Sequence, residues 1–386
     1  MKTLVYGLAR SGTAAAERLR ERGDEVVVAD ASLGNEDQLS LLDGVELVVK
    51  SPGVPGERPL VAEARRREIP VWSELELGYR LLPAAHFVAV TGTNGKSTTV
   101  ELLGAIIRAE RRPVVVAGNI GRPLSAVREA DWVVVEASSF QLEDVDAFAP
   151  DVAVLLNLES DHLDRHGTFA AYRAAKLRIF ERARVRVVPR GLDLGVDGIE
   201  FSADDELPAE PLIPGRHNRE NAAAAVAAAR AAGVGEEAIA TGLRTFPGVP
   251  HRLELVRERE GVRYVNDSKA TNVAAALRAL ETYAAQPLRV ILGGSPKNED
   301  FRPLAAALGA NVRSVHLIGA EAERLAELLP GAYRDETLER AVGHAAALAE
   351  PGDVVLLSPA CASYDQFSNF EERGDRFREL VAALAG

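Results

Sequence analysis

Hydrophobic positions along the chain follow two alternating patterns. Short continuous apolar runs such as Phe87–Val90 are followed by longer segments, such as Val100–Ile107, whose apolar residues recur at helical spacing. Short apolar strands that alternate with helices are typical of parallel sheets covered on both faces. The pattern predicts an α/β protein that binds its ligands at the carboxyl ends of the strands.

Three such α/β segments follow one another along the 386 residues. We predict an N-terminal Rossmann-like domain over residues 1–84 and a C-terminal Rossmann-like α/β domain over residues 247–386. Between them, residues 85–246 are predicted to form a P-loop domain with a mostly parallel sheet and helices on both faces. Lengths of roughly 80 to 160 residues suit independent domains.

The segment Val88–Thr99 joins an apolar strand to a helix through a loop that contains two glycines. In such a loop backbone N–H groups and the positive end of the helix bind phosphate, Lys96 adds a charge, and the Ser97 hydroxyl can ligate Mg²⁺. Val90 stands where the general pattern has its first glycine. The segment predicts a nucleoside triphosphate site with an imperfect P-loop signature.

The N-terminal strand ends in Gly7-Leu-Ala-Arg-Ser-Gly, and the next strand ends at Asp30. This order is typical of a dinucleotide-binding fold, but Ala9 replaces the middle glycine that lets a pyrophosphate approach the backbone. Binding of a dinucleotide, binding of another phosphorylated nucleotide and a purely structural turn all remain open.

Polar residues follow the predicted strands of the central segment. Glu136 is placed like a Walker-B carboxylate that reaches Mg²⁺, with capping of the next helix as the alternative. Asn119 and Asn157 also end strands. The run that follows Asn157 contains His162 and His166, and beside a P-loop sheet we expect a metal or phosphate role for at least one of them, with His162 the stronger candidate.

Two further segments of the central region carry polar residues on predicted helices. Lys176 lies between Ala175 and Leu177, so its position alone indicates a surface lysine whose stem covers apolar neighbours. Asn218 and Asn221 stand at the start of an alanine-rich helix. One of them is expected to cap the helix and the other to bind a base or phosphate, and capping alone is the alternative.

The C-terminal segment contains polar groups in three places. Asp267, Lys269 and Thr271 alternate, which would put them on one face of an extended chain beside His251-Arg252; a charged loop that opens a helix is the alternative. Lys297 and the run Ser358–Gly374 follow predicted strands. Both are loops where α/β domains bind ligands, and a structural role is also open.

Composition narrows the functional classes. A net charge of −12 argues against duplex nucleic acid as the main partner, because phosphate binding needs a basic surface. No run approaches the roughly 20 apolar residues that span a bilayer, and the N-terminus leads straight into a strand, so we expect a cytoplasmic protein without membrane insertion. The single cysteine, Cys361, excludes an internal disulfide and stands among small residues, which indicates a packed thiol.

Four motifs together resemble the Mur ligase family, and the resemblance covers essentially the whole chain. They are Thr91-Gly-Thr-Asn-Gly-Lys-Ser-Thr, Glu136-Ala-Ser-Ser-Phe-Gln-Leu, Asn266-Asp-Ser-Lys-Ala-Thr-Asn and Ser358-Pro-Ala-Cys-Ala-Ser. The first is the family's own form of the P-loop, which accounts for Val90.

The resemblance implies an ATP-dependent amide ligase that adds D-glutamate to UDP-N-acetylmuramoyl-L-alanine through an acyl phosphate, in peptidoglycan precursor synthesis. It also implies the use of ATP, two Mg²⁺ ions and a CO₂-derived carbamate on Lys176, in place of a surface role for that lysine. We expect a monomer, although no residue pattern in the sequence indicates the oligomeric state. The C-terminal domain would close on the nucleotide and bind D-glutamate. Alternatives are a related ligase for another amino acid, an NAD-dependent oxidoreductase and a non-enzymatic P-loop switch.

The same resemblance assigns residues to the reaction. The catalytic residues that it implies are Lys96, Asn119, His162 and Lys176. The implied metal ligands are Ser97, Glu136, His162 and the Lys176 carbamate. The implied ATP contacts are Gly92, Thr93, Asn94, Gly95, Lys96, Ser97, Thr98, Asn218, Asn221, Arg252, Asp267 and Lys269. The implied UDP-substrate contacts are Gly7, Arg10, Ser11, Thr13, Asp30, Ser51, Gly53 and Asn119. The implied D-glutamate contacts are Thr271, Lys297, Ser363, Tyr364 and Phe370. Tyr364 stands at a position where the family usually has a smaller aliphatic residue.

Overall fold

The computed structural model describes residues 1–296 and 299–384, which form three sheets in two compact units. The first unit contains residues 1–212 and 216–246, and the second contains residues 213–215 and the chain from Pro247 onward. Strands and helices alternate through both units, so the predicted α/β class is confirmed.

The first sheet of the first unit is wholly parallel, with the strand order β2-β1-β3-β4. Its strands are β1 (Lys2–Tyr6), β2 (Glu25–Ala29), β3 (Leu47–Lys50) and β4 (Val71–Ser73). Its helices are α1 (Arg10–Glu21), α2 (Pro59–Arg66) and α3 (Glu74–Arg80), with short 3₁₀ turns at Ala31–Leu33 and Leu39–Leu42.

Close packing of β1 against α1 explains one glycine of the first turn. A Cβ on Gly12 would lie 1.7 Å from the carbonyl oxygen of Gly7, so only glycine lets the first turn of the helix approach the end of the strand. This is the third glycine of the nucleotide-binding fingerprint, whose role is close helix–strand packing.

The second sheet is also parallel and has the order β10-β9-β8-β5-β7-β6, with β5 in the interior. Its strands are β5 (His86–Thr91), β6 (Val114–Gly118), β7 (Trp132–Glu136), β8 (Val152–Leu155), β9 (Val185–Pro189) and β10 (Ile199–Phe201). Its helices are α4 (Lys96–Ala109), α5 (Ser139–Leu142), α6 (Leu163–His166), α7 (Phe169–Leu177), α8 (Arg216–Ala231) and α9 (Glu236–Thr245), with 3₁₀ turns at Leu124–Ala126 and Arg178–Phe180.

Helix α3 connects the first sheet to the second through hydrogen bonds and apolar packing. The fully buried carboxylate of Glu76 accepts hydrogen bonds from the backbone N–H groups of Asp146, Ala147 and Phe148 at 2.9 to 3.0 Å. Leu75 packs in the core of the second sheet. The two sheets therefore belong to one compact unit, and a separate domain that ends at residue 84 stays a prediction.

The second unit holds one mixed sheet of order β11-β12-β16-β13-β14-β15, in which only the pair β11·β12 is antiparallel. Its strands are β11 (Glu254–Arg259), β12 (Val262–Asn266), β13 (Leu288–Gly293), β14 (Val312–Ile318), β15 (Tyr333–Glu336) and β16 (Val354–Leu357). Its helices are α10 (Val273–Thr282), α11 (Arg302–Ala307), α12 (Ala322–Leu328), α13 (Leu338–Leu348) and α14 (Phe370–Ala383). Among all helices of the described residues, none has the length and apolar content of a bilayer-crossing segment.

Cys361 lies in the core of the second unit and is 1% exposed. Burial raises the pKa of its thiol to about 12, so the group is protonated and a weak nucleophile at neutral pH. The predicted packed thiol is confirmed.

Candidate functional site

The P-loop lies at the carboxyl edge of the second sheet, between β5 and α4. Gly95 has φ +82°, and a Cβ at this position would lie 2.1 Å from Oδ1 of Asn221 on α8. Glycine therefore permits the left-handed backbone conformation at this position and also leaves room for α8 to approach the loop. Ser97 and Thr98 follow in the first turn of α4, and both are buried.

Hydrogen bonds from the segment after β8 hold the P-loop in place. The N–H groups of Thr93 and Asn94 donate to the backbone oxygen and to Oδ1 of Asn157 at 3.1 and 2.9 Å. The side-chain amide of Asn94 donates to Glu159 at 3.0 Å, and the Thr93 hydroxyl lies 3.0 Å from the hydroxyl of Tyr172. The loop is thus shaped by its neighbours as well as by its glycines.

Two lysine side chains meet at this loop. Lys96 donates to the carbonyl oxygens of Gly92 and Thr93 at 2.8 and 2.9 Å. Lys176 on α7 also donates to Gly92 O at 2.8 Å, and its Nζ lies 4.8 Å from the ring centroid of Tyr172. Lys176 is only 2% exposed, so its interpretation as a surface lysine is wrong: α7 turns this side chain toward the sheet edge.

Burial, and after it the charge of Lys96, lowers the pKa of Lys176 to about 7, against the opposing effects of Asp161 and Glu136. A large fraction of Lys176 is therefore a neutral amine near pH 7. A neutral amine is a nucleophile, whereas an ammonium group is not.

Glu136 ends β7 and is 1% exposed. Its Oε1 accepts a hydrogen bond from the side-chain amide of Asn119 at 3.1 Å, while its Oε2 is buried without a hydrogen-bond partner among the described residues. Helix α5 is capped by Ser138 in a capping box with Gln141, so the capping alternative for Glu136 is wrong. A buried carboxylate oxygen at the end of the strand that pairs with β5, which leads into the P-loop, suits a hard cation such as Mg²⁺.

The two histidines after β8 differ in environment. His162 has φ 52°, its side chain is 49% exposed, and its Nε2 lies 3.5 Å from Asp161. The buried side chain of His166 lies 2.9 Å from the Ser139 hydroxyl and 3.2 Å from Glu143. His162 is therefore open to a ligand, and His166 is part of the packing around α5.

A cavity of about 550 Å³ lies at the carboxyl edge of the first sheet. Seven of the eight residues predicted to contact a UDP substrate line it, namely Gly7, Arg10, Ser11, Asp30, Ser51, Gly53 and Asn119. The eighth, Thr13, is outside the lining and donates its hydroxyl to Leu8 O at 2.8 Å. Asn119 lines this cavity, and its side-chain amide donates to the Glu136 carboxylate.

Hydrogen bonds already engage the carboxylate of Asp30. Ser32 and the N–H of Leu8 donate to it, which lowers its pKa. Arg58 also lines the cavity and donates to the hydroxyl of Tyr6 at 3.1 Å. No spacing in the sequence singles out Arg58, because a long loop and α2 bring it to the cavity.

Asn218 and Asn221 lie inside α8, which begins at Arg216, and both are buried. Neither residue precedes the helix, so the prediction that one of them caps its start is wrong. The helix begins earlier than the alanine-rich run indicates.

In the second unit, Asp267 follows β12 and is 5% exposed. Its carboxylate accepts from the Ser358 hydroxyl at 2.8 Å and from the N–H of Leu253 at 3.2 Å, and burial raises its pKa to about 7. The N–H of Ala270 donates to Asp267 O at 2.8 Å, which closes a turn. The predicted extended face with Lys269 and Thr271 is therefore wrong, because the chain must reverse between β12 and α10.

The loops after β12 and β16 are joined by Arg373, which is 1% exposed. Its guanidinium donates to Ser268 and to the carbonyl oxygens of Cys361 and Ala362 at 2.8 to 3.1 Å. Ser268 donates in turn to Phe370 O at 2.8 Å. This connection between the two motifs is visible only in the fold.

Other residues predicted for the second unit have varied surroundings. The Nζ of Lys269 lies 5.6 Å from the ring centroid of Phe370, Ser363 is buried, and Arg252 and Thr271 are half-buried. Tyr364 is 74% exposed. Lys297 lies outside the described residues.

The sequence pattern singles out neither Tyr172, which contacts Thr93 and Lys176, nor Arg373, which connects the loops after β12 and β16. Tyr172 lies four residues before Lys176 on α7, so helical periodicity alone could have placed it beside that lysine. Arg373 stands at the start of α14 among charged residues, and no pattern distinguishes it from a surface arginine.

Comparisons with known proteins agree with these motifs. The sequence matches the family models for the Mur ligase middle domain over residues 90–191 and for the Mur ligase glutamate ligase domain over residues 251–361. The UDP-N-acetylmuramoylalanine--D-glutamate ligase of Acidobacterium capsulatum is 41% identical over 448 aligned positions, which cover 100% of this chain and 97% of the relative. That of Myxococcus xanthus is 40% identical over 99% of this chain and 98% of the relative.

Solved structures show the same fold at lower identity. UDP-N-acetylmuramate-alanine ligase from Thermotoga maritima has 20% identity and a TM-score of 0.66, and the alignment covers 100% of both chains. FolC of E. coli in complex with ADP has 22% identity and a TM-score of 0.62, over 86% of this chain and 100% of that one. Identity of about 40% over the full length of curated relatives shows that the chain belongs to the Mur ligase family of enzymes.

Proposed function

We propose that this chain is an ATP-dependent amide ligase that adds D-glutamate to UDP-N-acetylmuramoyl-L-alanine, with release of ADP and phosphate, in peptidoglycan precursor synthesis. The relatives that are about 40% identical over full length carry the name of this activity. The observation that carries the chemistry is the convergence of Lys96, Glu136 and Lys176 at one edge of the second sheet. An oxidoreductase and a non-enzymatic switch have no support from the family.

The reaction needs a leaving group, because a carboxylate is a poor acylating agent. A carboxylate oxygen of the substrate attacks the γ-phosphorus of ATP, and the bond from phosphorus to the bridging oxygen of ADP breaks. The D-glutamate amine then attacks the acyl carbon, loses a proton, and phosphate leaves. Lys96 and the backbone N–H groups of the loop stabilise the negative charge on the transferred phosphoryl group.

Ser97 and Glu136 would hold one Mg²⁺, which neutralises phosphate charge when bound. The buried Oε2 of Glu136 has no hydrogen-bond partner in the described part of the chain, and this supports the assignment, since such an oxygen is costly unless a cation or donor meets it. Asn119 holds the other oxygen of the carboxylate at 3.1 Å and so fixes its orientation.

We assign a second Mg²⁺ to His162 and to a carbamate on Lys176. The neutral amine of Lys176 would bond to the carbon of CO₂ and release one proton, so that an uncharged amine becomes an anionic carbamate whose oxygens can bind a metal. The lowered pKa of Lys176 and its contact with Gly92 O support this step. The negative carbamate would also remove the repulsion between Lys176 and Lys96.

We assign the UDP part of the substrate to the 550 Å³ cavity of the first sheet. Arg10 and Ser11 stand in the first turn of the twelve-residue helix α1, whose N–H groups and positive end favour phosphate. Asn119 lies between this cavity and Glu136, so a substrate held there would direct its carboxylate toward the P-loop.

D-glutamate is assigned to the second unit, where Ser363, Thr271 and Phe370 adjoin the loops joined by Arg373. The nucleotide contacts of Arg252, Asp267 and Lys269, closure of this unit on the nucleotide, and a role for Lys297 remain predictions. We also keep as predictions a cytoplasmic location and a monomeric state.

Phosphate release from ATP tests the proposal directly. We expect release only when UDP-N-acetylmuramoyl-L-alanine and D-glutamate are both present, with none when L-alanine or a diamino acid replaces D-glutamate. Equal turnover with another amino acid would assign the chain to a different amide ligase of the family. Turnover with neither substrate would point to a nucleotide switch.

A further inference from the structure

Three metal-ligating side chains cluster in the second unit, outside the residues assigned to the ligase reaction. His316 lies on β14, Asp335 on the edge strand β15 and His344 on α13. One ligand atom from each lies within 4.8 Å of the other two. The carboxylate connects the histidines: its Oδ2 lies 2.7 Å from Nδ1 of His316, and its Oδ1 lies 2.9 Å from Nδ1 of His344.

The charge of Asp335 needs a partner. The residue is 5% exposed, and both of its oxygens face imidazole nitrogens. The neighbouring guanidinium groups of Arg334 and Arg340 pair with Glu323 and Glu336 instead. Since a buried carboxylate is costly without a positive charge, a cation between the imidazoles would meet this need.

His316 also has the outer contact that a metal-binding histidine requires. It is fully buried, and its Nε2 lies 3.0 Å from the hydroxyl oxygen of Ser314. Arg289 donates to the same oxygen at 3.2 Å and to Asp353 at 2.8 Å, which fixes the serine. When the Nε2–H of His316 donates to Ser314, the Nδ1 lone pair points at Asp335, which is the tautomer that binds metal.

We propose that His316, Asp335 and His344 form a binding site for a divalent transition-metal cation of the zinc class. Two imidazoles and one carboxylate are a donor set of zinc rather than of magnesium, with water as the fourth ligand. In a tetrahedral zinc site neighbouring ligand atoms lie about 3.4 Å apart, so the 4.8 Å span must contract. His344 can move, because its side chain is 35% exposed, and this exposure also admits the ion.

Such an ion would fasten β15 to β14 and α13. The ring of Tyr333 on β15 packs against both histidines, with centroids 5.2 and 4.3 Å away. Because the ion binds the folded chain, it would raise the melting temperature. The site is structural in character and independent of the proposed ligase activity.

Binding of Zn²⁺ to the whole chain, measured by competition with a chromogenic chelator in excess Mg²⁺, tests the proposal. We expect the wild type to bind one more equivalent of Zn²⁺ than His344→Gln. His86→Gln is the matched control, because His86 is an exposed histidine of the first unit and its loss should leave the stoichiometry unchanged. His344→Cys should keep the extra equivalent, since a thiolate also ligates zinc.

Co²⁺ provides a second readout that does not depend on activity. A tetrahedral Co²⁺ site absorbs visible light far more strongly than an octahedral one, so the wild type should give a band that His344→Gln lacks. Equal Zn²⁺ stoichiometry and equal Co²⁺ spectra in the wild type and His344→Gln would overturn the proposal. The cluster would then be a set of proton-bridged hydrogen bonds.

Discussion

Lys96 and Lys176 donate to the same acceptor, the carbonyl oxygen of Gly92, each at 2.8 Å. The two nitrogens therefore lie within about 6 Å of each other. Two positive charges at this separation repel by about 3 kcal/mol at an effective dielectric constant of about 20. Burial and the charge of Lys96 lower the pKa of Lys176 to about 7, so a large fraction of Lys176 is a neutral amine near neutral pH.

We predict that Lys176→Ala lowers ligase turnover by at least about 100-fold, because the carbamate ligand is lost. Acetate should restore part of the activity, since a small carboxylate fits the space that the side chain leaves. The measurement is phosphate release with increasing acetate.

Lys176→Arg is the matched variant for this experiment. Arginine keeps a positive charge, forms no carbamate and leaves no space, so acetate should not rescue it. With ¹³C-labelled bicarbonate, NMR should detect one carbamate among the six lysines of the wild type and none in Lys176→Arg. Full activity in CO₂-depleted buffer would contradict a carbamate on Lys176.

Glu136→Gln should raise the Mg²⁺ concentration that gives half-maximal turnover by about 10-fold or more, because an amide is a weaker ligand than a carboxylate. The fold should be kept, since the amide can still bond with Asn119. Glu129→Gln, at an exposed position, is the control. A Mg²⁺ titration of turnover for all three proteins checks this, and identical curves would exclude Glu136 as a ligand.

Asp267 should make the free energy of unfolding depend on pH. Its pKa is about 7 in the folded chain, against 3.8 for an ordinary aspartate side chain, so between these pH values the folded state keeps a proton that the unfolded state has lost. Stability should therefore fall as pH rises from about 4 to about 7, by up to about 4 kcal/mol from this group. Urea unfolding of the wild type and Asp267→Asn should give a smaller fall for the variant, whose amide can still contact Ser358 and Leu253. Equal slopes would show that Asp267 is ionised throughout.

Gly12→Ala should destabilise the first unit by at least about 2 kcal/mol, because the new methyl group would lie 1.7 Å from Gly7 O. Gly343→Ala on α13 is the control: a Cβ there meets no atom of the described residues within 4 Å, and alanine favours a helix by about 1 kcal/mol. Thermal unfolding should show a lower melting temperature for Gly12→Ala only. Equal melting temperatures would mean that β1 and α1 can separate without cost.

The sequence predicted well those features that depend on short segments. Apolar runs and glycines within about ten residues of each other predict the strand, P-loop and helix around Lys96. A similar apolar run predicts that Glu136 stands at a strand end. Seven residues of the first cavity could also be named, but only through the resemblance to the Mur ligases; they lie together because loops at the carboxyl ends of parallel strands converge.

Features that depend on packing between distant segments could not be predicted. Lys176 has the neighbours of a surface lysine in sequence, and only the packing of α7 against the sheet buries it. Asp267 is followed by residues compatible with an extended chain, yet the start of α10 requires a turn. Arg373 and the His316–Asp335–His344 cluster join segments that the sequence places far apart.

The central claim, phosphoryl transfer to a substrate carboxylate, is tested most directly by isotope transfer. UDP-N-acetylmuramoyl-L-alanine labelled with ¹⁸O in its carboxylate would be incubated with ATP, Mg²⁺, D-glutamate and the enzyme, and the phosphate analysed by mass spectrometry. The attacking oxygen leaves with the phosphate when the amide forms, so one ¹⁸O atom should appear in each phosphate released. Phosphate without the label would contradict an acyl phosphate and the site described around Lys96, Glu136 and Lys176.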